Sequence, residues 1–362
     1  MPLNEIHRQK AVMTDFAGYE LPLYYTSIIE EHLAVRTHSG IFDVSHMGRI
    51  LVEGEDSFNF LERILPVSVS SKKDMKAFYS FMLDERGTIL DDLIVLRLSS
   101  AKYIVVVNAA NREKDFAHIN KYKNEYSVSI KDITSQTCMF AVQGPKSIEI
   151  MSSTFPEIPV PDTRYTVTTT QYEGKELIVS RTGYTGEDGL EIIAPCADSI
   201  QTAKFIWEQF SRNSKECGLG SRDTLRIEAG LPLYGNEIDE KTSPFELGLE
   251  RLIAWDKEFI GKEAIAQKTK PERLISGLVL EKDIPRTGFE VKDEQGNSVG
   301  VVTSGTYSPI LRKGIALAKI SSSFVSQGKL LYVQVRGSNR ASNVVKPPFY
   351  DTSKYGYKRV KQ

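Results

Sequence analysis

Apolar positions recur along the chain with two different periods. A Ser-x-x-Glu pattern from Ser27 to Glu30 leads into Leu33 and Ala34 and ends near Gly40, which predicts a capped helix. Phe58, Leu61, Ile64 and Leu65 share one face of a second short helix. The period then changes. Phe78 to Met82, the turn Asp84-Glu85-Arg86-Gly87 and Ile89 to Leu98 read as strand, turn and strand. Ser99 to Lys102 turns again into the β-branched run Tyr103 to Val107, completing a meander, and Phe116, Ile119 and Tyr122 mark a helix packed on it. A second mixed unit follows, with strands near Met139–Val142, Tyr165–Tyr172, Leu177–Arg181 and Leu190–Ile193. After them Ile200, Ala203, Trp207 and Phe210 form a helical stripe. The charged stretch Gln267 to Arg273, which contains Pro271, reads as a linker. Beyond it, short β-rich runs with turns at Glu294-Gln295-Gly296-Asn297 and Ser304-Gly305 predict a small barrel or sandwich.

Composition narrows the function classes. With 362 residues the chain has room for two or three domains, and 46 Lys+Arg against 47 Asp+Glu leave no net field to hold nucleic acid or an anionic membrane by charge alone. Apolar stretches such as Tyr103 to Val107 fall far short of the roughly 20 residues that span a bilayer. Met1 to Lys10 carries no signal or transit pattern, so the expected compartment is the cytoplasm. Cys138, Cys196 and Cys217 have no CxxC spacing and read as reduced thiols.

Four segments could carry chemistry. Asp91 and Asp92 interrupt the apolar strand Ile89 to Leu96, one on each face, and a carboxylate among such neighbours is costly unless it is paired or used. The alternative is a structural carboxylate capping backbone N–H groups. Between two strands, Gly183, Gly186 and Gly189 recur at intervals of three in a segment matching neither GxGxxG nor a P-loop. They suit either a hairpin connection needing positive φ or a loop whose backbone approaches a ligand, with Tyr184 and Glu191 directed at it. Asp43-Val-Ser45-His46 imitates a catalytic triad, but on a strand Ser45 and His46 point to opposite faces. His32, His38 and His46 lack the i, i+4 spacing of a helical metal site. In Gly220-Ser-Arg-Asp-Thr-Leu-Arg226, Ser221 is a possible N-cap, and one of the two arginines could reach an acidic partner or a ligand, the alternative being a solvated helix arginine.

Taken in order, Phe42-Asp-Val-Ser-His-Met-Gly48, Gly87-Thr-Ile-Leu-Asp-Asp-Leu-Ile94, Gly183-Tyr-Thr-Gly-Glu-Asp-Gly-Leu-Glu191 and Arg222-Asp-Thr-Leu-Arg-Ile-Glu-Ala-Gly-Leu231 resemble the glycine cleavage T-proteins, which are tetrahydrofolate-dependent aminomethyltransferases. The resemblance continues through Tyr234 to Asp239, Phe259 to Lys262, Gly300 to Gly305 and Pro347 to Phe349, covering nearly the whole chain.

It implies an α+β fold, a three-domain cloverleaf of antiparallel sheets and helices with a C-terminal β-barrel-like domain. Residues 1–48 and 138–244 would form the first, folate-binding domain; 49–137 and 245–272 the second; 273–362 the third. The folate pocket would lie where the three meet. Asp92 would act on the folate nitrogen that takes up the one-carbon unit, Glu191 would accept the adjacent N–H donors of a pterin edge, and Arg222 would sit beside it. Tyr79, Tyr103, Tyr184 and Met47 would wall the rings, Asn108 would lie close by, and Tyr355 would contribute from the C-terminus, where Lys354 to Tyr357 departs from the family's usual ending. Tetrahydrofolate is the implied co-substrate, with no metal. Lipoylated H-protein is the implied partner, P-protein and L-protein are involved indirectly, and neither nucleic acid nor membrane is involved. Three other readings remain open: an iron–sulfur repair relative, whose Lys-Gly-Cys-Tyr motif is missing at Asp256 to Lys262; the folate domain of a sarcosine or dimethylglycine dehydrogenase, although no dinucleotide fingerprint occurs; and a folate-binding regulatory protein, against which Asp92 argues.

Overall fold

The computed structural model describes residues 1–359 except 173, 197–199 and 269. Its strands sort into two open sheets, an N-terminal hairpin and a closed barrel. Strand alternation decides how these pack. In the five-stranded sheet, Lys76–Leu83 pairs with Ile89–Ser99, which pairs with Lys102–Val107, then Gly48–Glu53 and Ser129–Asp132. In the six-stranded sheet the order is Val167–Tyr172, Lys175–Ser180, Gly189–Pro195, Thr137–Gln143, Gly40–Asp43 and the short Lys215–Glu216. Residues paired across strands share a face, and every second residue returns to it. One face of the first sheet therefore carries Asp92, Leu96, Ile104 and Val106, and one face of the second carries Glu191, Ile193, Met139 and Phe42. The apolar members of both sets form a single buried cluster, so the sheets lie face to face. Asp92 and Glu191 both project from the facing sides.

The predicted elements are present. Ser27 accepts from the Glu30 N–H at 3.2 Å and starts the helix Ile28–Thr37. The apolar stripe at Phe58 to Leu65 forms Ser57–Ile64, with Phe60, Leu61 and Ile64 buried. The predicted meander, the helix Arg112–Lys121 and the helix Gln201–Ser211 form where the pattern placed them. The C-terminal runs close a six-stranded barrel between Arg273 and Val345.

Local readings need correction in four places. Ser304-Gly305 is not a turn; it lies inside the strand Ser298–Ser308 at a register shift, where a side chain on Gly305 would run into the Pro285 carbonyl. The strand expected from Tyr165 begins at Val167, because Tyr165 takes a positive φ of 60°. Ser221 does not cap its helix. That helix runs Leu219–Ala229 from Gly218, and the Ser221 hydroxyl donates back to the Gly218 carbonyl at 2.9 Å. Asp43 ends a strand and residues 44–47 turn, so the Asp-Val-Ser-His segment is not extended as assumed. The hairpin Val12–Phe16 with Tyr19–Tyr24 and the helix Ser147–Thr154 carried no signal we read.

No helix among the described residues is long and apolar enough to cross a membrane. All three cysteines are free and buried. A buried ionic network joins the six-stranded sheet unit to the barrel and the C-terminal tail. Arg36 donates to Glu228 at 2.8 Å and to Glu187 at 3.1 Å, His32 lies 3.0 Å from Glu228, and the Ser308 hydroxyl of the barrel donates to Glu228. From the tail, the Gly356 N–H donates to Glu187 at 2.9 Å, Arg359 pairs with the same carboxylate, and Arg36 lies over the Tyr350 ring at 4.5 Å.

Candidate active site

The two strand aspartates have opposite environments. Asp91 is fully buried and accepts from the Asn108 N–H and side-chain amide, both at 2.9 Å, and from the Asn111 amide at 2.6 Å. Asp92 points to the facing sheet. Its Oδ1 accepts from the Asn108 amide at 3.0 Å and its Oδ2 from the Tyr79 hydroxyl at 3.2 Å. Among the described residues no cation bonds either carboxyl. Burial, and then the neighbouring Asp91 charge, push the Asp92 carboxyl up to about 7, which is the range in which it can exchange a proton under ordinary conditions.

Across the gap, the loop between Lys175–Ser180 and Gly189–Pro195 brings in Tyr184. Its hydroxyl donates to the Pro232 carbonyl, and the Arg222 guanidinium lies over its ring at 4.9 Å. The charge on Asp92 helps to raise the phenol pKa of both Tyr79 and Tyr184, second to burial in Tyr79 and after burial and the opposing Arg226 charge in Tyr184. Glu191 accepts from the Thr182 hydroxyl. Burial raises its carboxyl, against the opposing pull of Thr182 and the Arg222 charge. Among the described residues neither Arg222 Nη1 nor His46 Nδ1, both buried, has a hydrogen-bond partner. Burial and the Arg222 charge pull His46 down to about 3, so its imidazole is neutral.

The candidate residues therefore divide. Tyr79 and Asn108 bond Asp92, Arg222 lies over the Tyr184 ring, and Glu191 projects from the facing sheet under the influence of the Arg222 charge. Met47 is half-buried against the cluster shared by the two sheets. Tyr103 is a correction. It pairs with Arg97 and shares a face with Val95 and Val105, on the side of the sheet away from Asp92, so it is a core residue and walls nothing. Tyr355 stands in the tail, its ring against Tyr350 and Arg359 beside the Glu187 network. Of the two arginines in the 220–226 segment, Arg226 is the structural one: it pairs with Glu237 at 2.7 Å and donates to Ser304 of the barrel at 2.7 Å. Asp43 pairs with His7 at 3.0 Å, and the Ser45 hydroxyl bonds the Met139 main chain, so that serine has no base.

Reading the sequence missed Thr182, Asn111 and Asp115. Asp115 had a signal: it lies four residues before Ile119 on the buried stripe of its helix, a carboxylate where an apolar residue belongs. The glycines of the 183–189 segment divide between the positive φ expected of a hairpin connection and a cause that was not expected. Only Gly186 has positive φ, at 79°; Gly183 and Gly189 are pressed against the Gln143 side chain, so the close approach there is to the protein itself. Among the described residues no group of His, Cys, Asp and Glu is arranged to hold a metal ion.

Known proteins resemble this chain over its whole length. The GCVT N-terminal domain family matches residues 3–257, and the glycine cleavage T-protein C-terminal barrel domain family matches 273–351. An aminomethyltransferase of Thermoanaerobacter pseudethanolicus is 40% identical, covering 99% of this chain and 98% of its own length. One from Thermotoga maritima is 42% identical over 96% of this chain and 97% of its own. The crystal structure of glycine cleavage system aminomethyltransferase T from Bartonella henselae superposes with a TM-score of 0.91 at 32% identity, covering 99% of both chains. With a closed C-terminal barrel, two facing sheets and this extent of likeness, the chain belongs to the glycine cleavage T-protein family, the aminomethyltransferases, and is a one-carbon transferase of the glycine cleavage system.

Proposed function

We propose that the chain transfers the methylene carbon of an S-aminomethyl group, carried on the lipoyl arm of H-protein, to tetrahydrofolate, and that Asp92 is the catalytic carboxylate. The observation that carries this reading is the Asp92 carboxyl, raised to about 7 and held between Tyr79 and Asn108, on the face turned towards the sheet that carries Glu191. In the reaction a folate nitrogen attacks the carbon and ammonia leaves with the carbon–nitrogen bond. The second folate nitrogen then closes the methylene bridge as the carbon–sulfur bond breaks, and the thiolate takes a proton to give dihydrolipoyl H-protein. A folate N–H proton must depart as each new bond forms; Asp92 in its anionic form accepts it and returns it to the leaving group, the amine in the first step and the thiolate in the second.

Glu191 suits the paired N–H donors of a pterin edge because a carboxylate offers two acceptor oxygens. Arg222, with a buried N–H still unpaired, supports the same placement by supplying a donor for a carbonyl beside that edge. Tyr184 and Tyr79 offer ring faces, Met47 flanks them, and Tyr355 is assigned to the rim of the site from the tail. We divide the chain into domains 1–48 with 138–244, 49–137 with 245–272, and 273–362. The division is supported by Phe245, Ile253, Phe259 and Ile265 packing into the core of the five-stranded sheet. P-protein and L-protein would act on the same H-protein, and the reading places the enzyme in the cytoplasm. The test is single-turnover formation of methylenetetrahydrofolate from aminomethyl-loaded H-protein by the parent and Asp92→Asn. A rate lower than the parent's by roughly 10²- to 10⁴-fold is expected from the variant; equal rates would end the assignment of Asp92.

A further inference from the structure

Asp115 takes no part in the chemistry described so far. It is fully buried on the helix Arg112–Lys121, and among the described residues neither of its carboxyl oxygens meets a hydrogen-bond donor. Lys114, its chain neighbour, is turned away, its ammonium bonded to the Tyr234 hydroxyl at 2.9 Å and to Glu240 at 3.2 Å. Among side chains, the Asp91 carboxyl is the one that acts most strongly on Asp115, through its charge and through hydrogen bonding. Two carboxyls can share a hydrogen bond only if one of them holds a proton, and in a dry site without a cation both cannot stay ionised. The Asp91 oxygens are already occupied by three N–H donors from Asn108 and Asn111, which favour the anion there. The proton therefore belongs to Asp115.

From Asp91 the chain of contacts continues across the strand. The Asn108 amide that donates to Asp91 Oδ1 at 2.9 Å also lies 3.0 Å from Asp92 Oδ1 and 3.1 Å from the Asp92 carbonyl. Asp115, Asp91, Asn108 and Asp92 thus form one line from the helix behind the sheet to the site in front of it.

We propose that Asp115 is a positioning residue for the transfer reaction, a neutral acid that donates its proton in a hydrogen bond to Asp91 and so keeps Asp91 anionic and Asn108 fixed against Asp92. The environment agrees with this. Burial, and then the Asp91 charge, push the Asp115 carboxyl up to about 11, opposed only by Lys114. The titratable groups facing Asp92 are Asp91 on its own strand, Tyr79 on the next strand and Tyr184 on the opposite loop; those around Asp115 are Asp91, Asp92 and Lys114.

The inference rests on the reading of Asp92 as the catalytic carboxylate, and the experiment separates the two. Asp115→Asn replaces one neutral donor by another, so its single-turnover rate should stay within about threefold of the parent, and the acidic limb of its pH–rate profile should not move. If Asp115 were an anion, the same change would remove a charge next to Asp91 and Asp92 and move that limb to lower pH by a clear fraction of a unit, which would overturn the proposal. Asp115→Ala has no donor; its kcat should fall about tenfold or more with KM within about twofold, and an unchanged kcat would overturn the positioning role. Infrared difference spectra give a readout independent of turnover and of the alanine variant. The parent should keep a protonated-carboxyl band at pH 8 that Asp115→Asn lacks, and its absence from the parent would also overturn the proposal. Full activity in Asp92→Asn would instead strike the reading of Asp92, while the infrared result would still judge Asp115.

Discussion

At the scale of single residues, the site depends on carboxyls set among apolar neighbours, with Asp91 fully buried and Asp92 half-buried beside it. Asp92 is effective as a base only when ionised, and its carboxyl is raised to about 7, so the single-turnover rate should climb as pH rises through about 7 and level off above it. Asp92→Asn keeps the shape and loses the basicity. Turnover should drop roughly 10²- to 10⁴-fold with only a modest change in folate affinity, and a loss confined to binding would contradict the role. Asp91→Asn is not the mild control that a residue on the far face of the strand suggests, because Asp91 is an acceptor for three N–H donors in a dry cavity. Glu191→Ala should weaken reduced-folate binding by roughly 2 to 4 kcal/mol, since it leaves ligand donors unpaired; calorimetric titration reads this directly, and parent-like affinity would remove Glu191 from the site.

At the scale of elements, the loop carrying Tyr184 is held by what its glycines touch. A Cβ on Gly186 would sit 2.3 Å from the Tyr350 hydroxyl and 2.7 Å from the Ala229 Cβ, in addition to the strain of a positive φ. Gly18 has almost the same φ but open space around it. Gly18→Ala should therefore cost about 1 kcal/mol in urea denaturation, the backbone term alone, whereas Gly186→Ala should cost about 2 to 4 kcal/mol and loosen the tail against Glu187. Similar losses in the two variants would show that the Tyr350 contact yields freely. The helix Ile28–Thr37 has a simpler lever, as Ser27→Ala removes one cap bond worth about 1 kcal/mol.

At the scale of the whole molecule, the Arg36–Glu228–Glu187 network ties helix, loop, barrel and tail together, and it makes stability depend on pH with a definite sign. Glu228 is held down to about 2 in the fold by His32, Arg36 and Ser308 despite its burial, below the ordinary 4.5. A lowered acid stabilises above its unfolded value and loses that contribution as pH falls from about 4.5 towards 2. His32 is also lowered from 6.5, by burial, so the unfolded chain takes up a proton first and stability declines further as pH drops below about 6.5. Both shifts favour the neutral side. Glu228→Gln should lose about 3 to 5 kcal/mol at pH 7, because it leaves two buried basic groups short of a partner, and the gap to the parent should narrow in the acid window. A gap independent of pH would mean that Glu228 contributes shape and not charge.

What the sequence determined by itself lies mostly within elements. Period-two runs, the Asp84–Gly87 turn and the Ser27 cap are local chemistry, so the meander, the capped helix and the β-rich C-terminal unit were legible, as was the division of Asp91 and Asp92 between two faces. The order of the motifs identified the family. Tertiary structure decided what those faces meet. Tyr103 reads as well for a site wall as for a core residue until pairing with Arg97 places it behind the sheet. The glycines at 183 and 189 look like ligand loops until Gln143 occupies the space. Asp43 stands three residues before His46 in the chain and is bonded to His7 in the fold. Asp115 becomes visible as a partner of Asp91 only once helix and strand are packed. The reason is common to all four. Alternation and propensity act over a few residues, whereas burial, partner choice and the proton of a carboxyl are set by groups that are distant in the chain and close only after the sheets have come together.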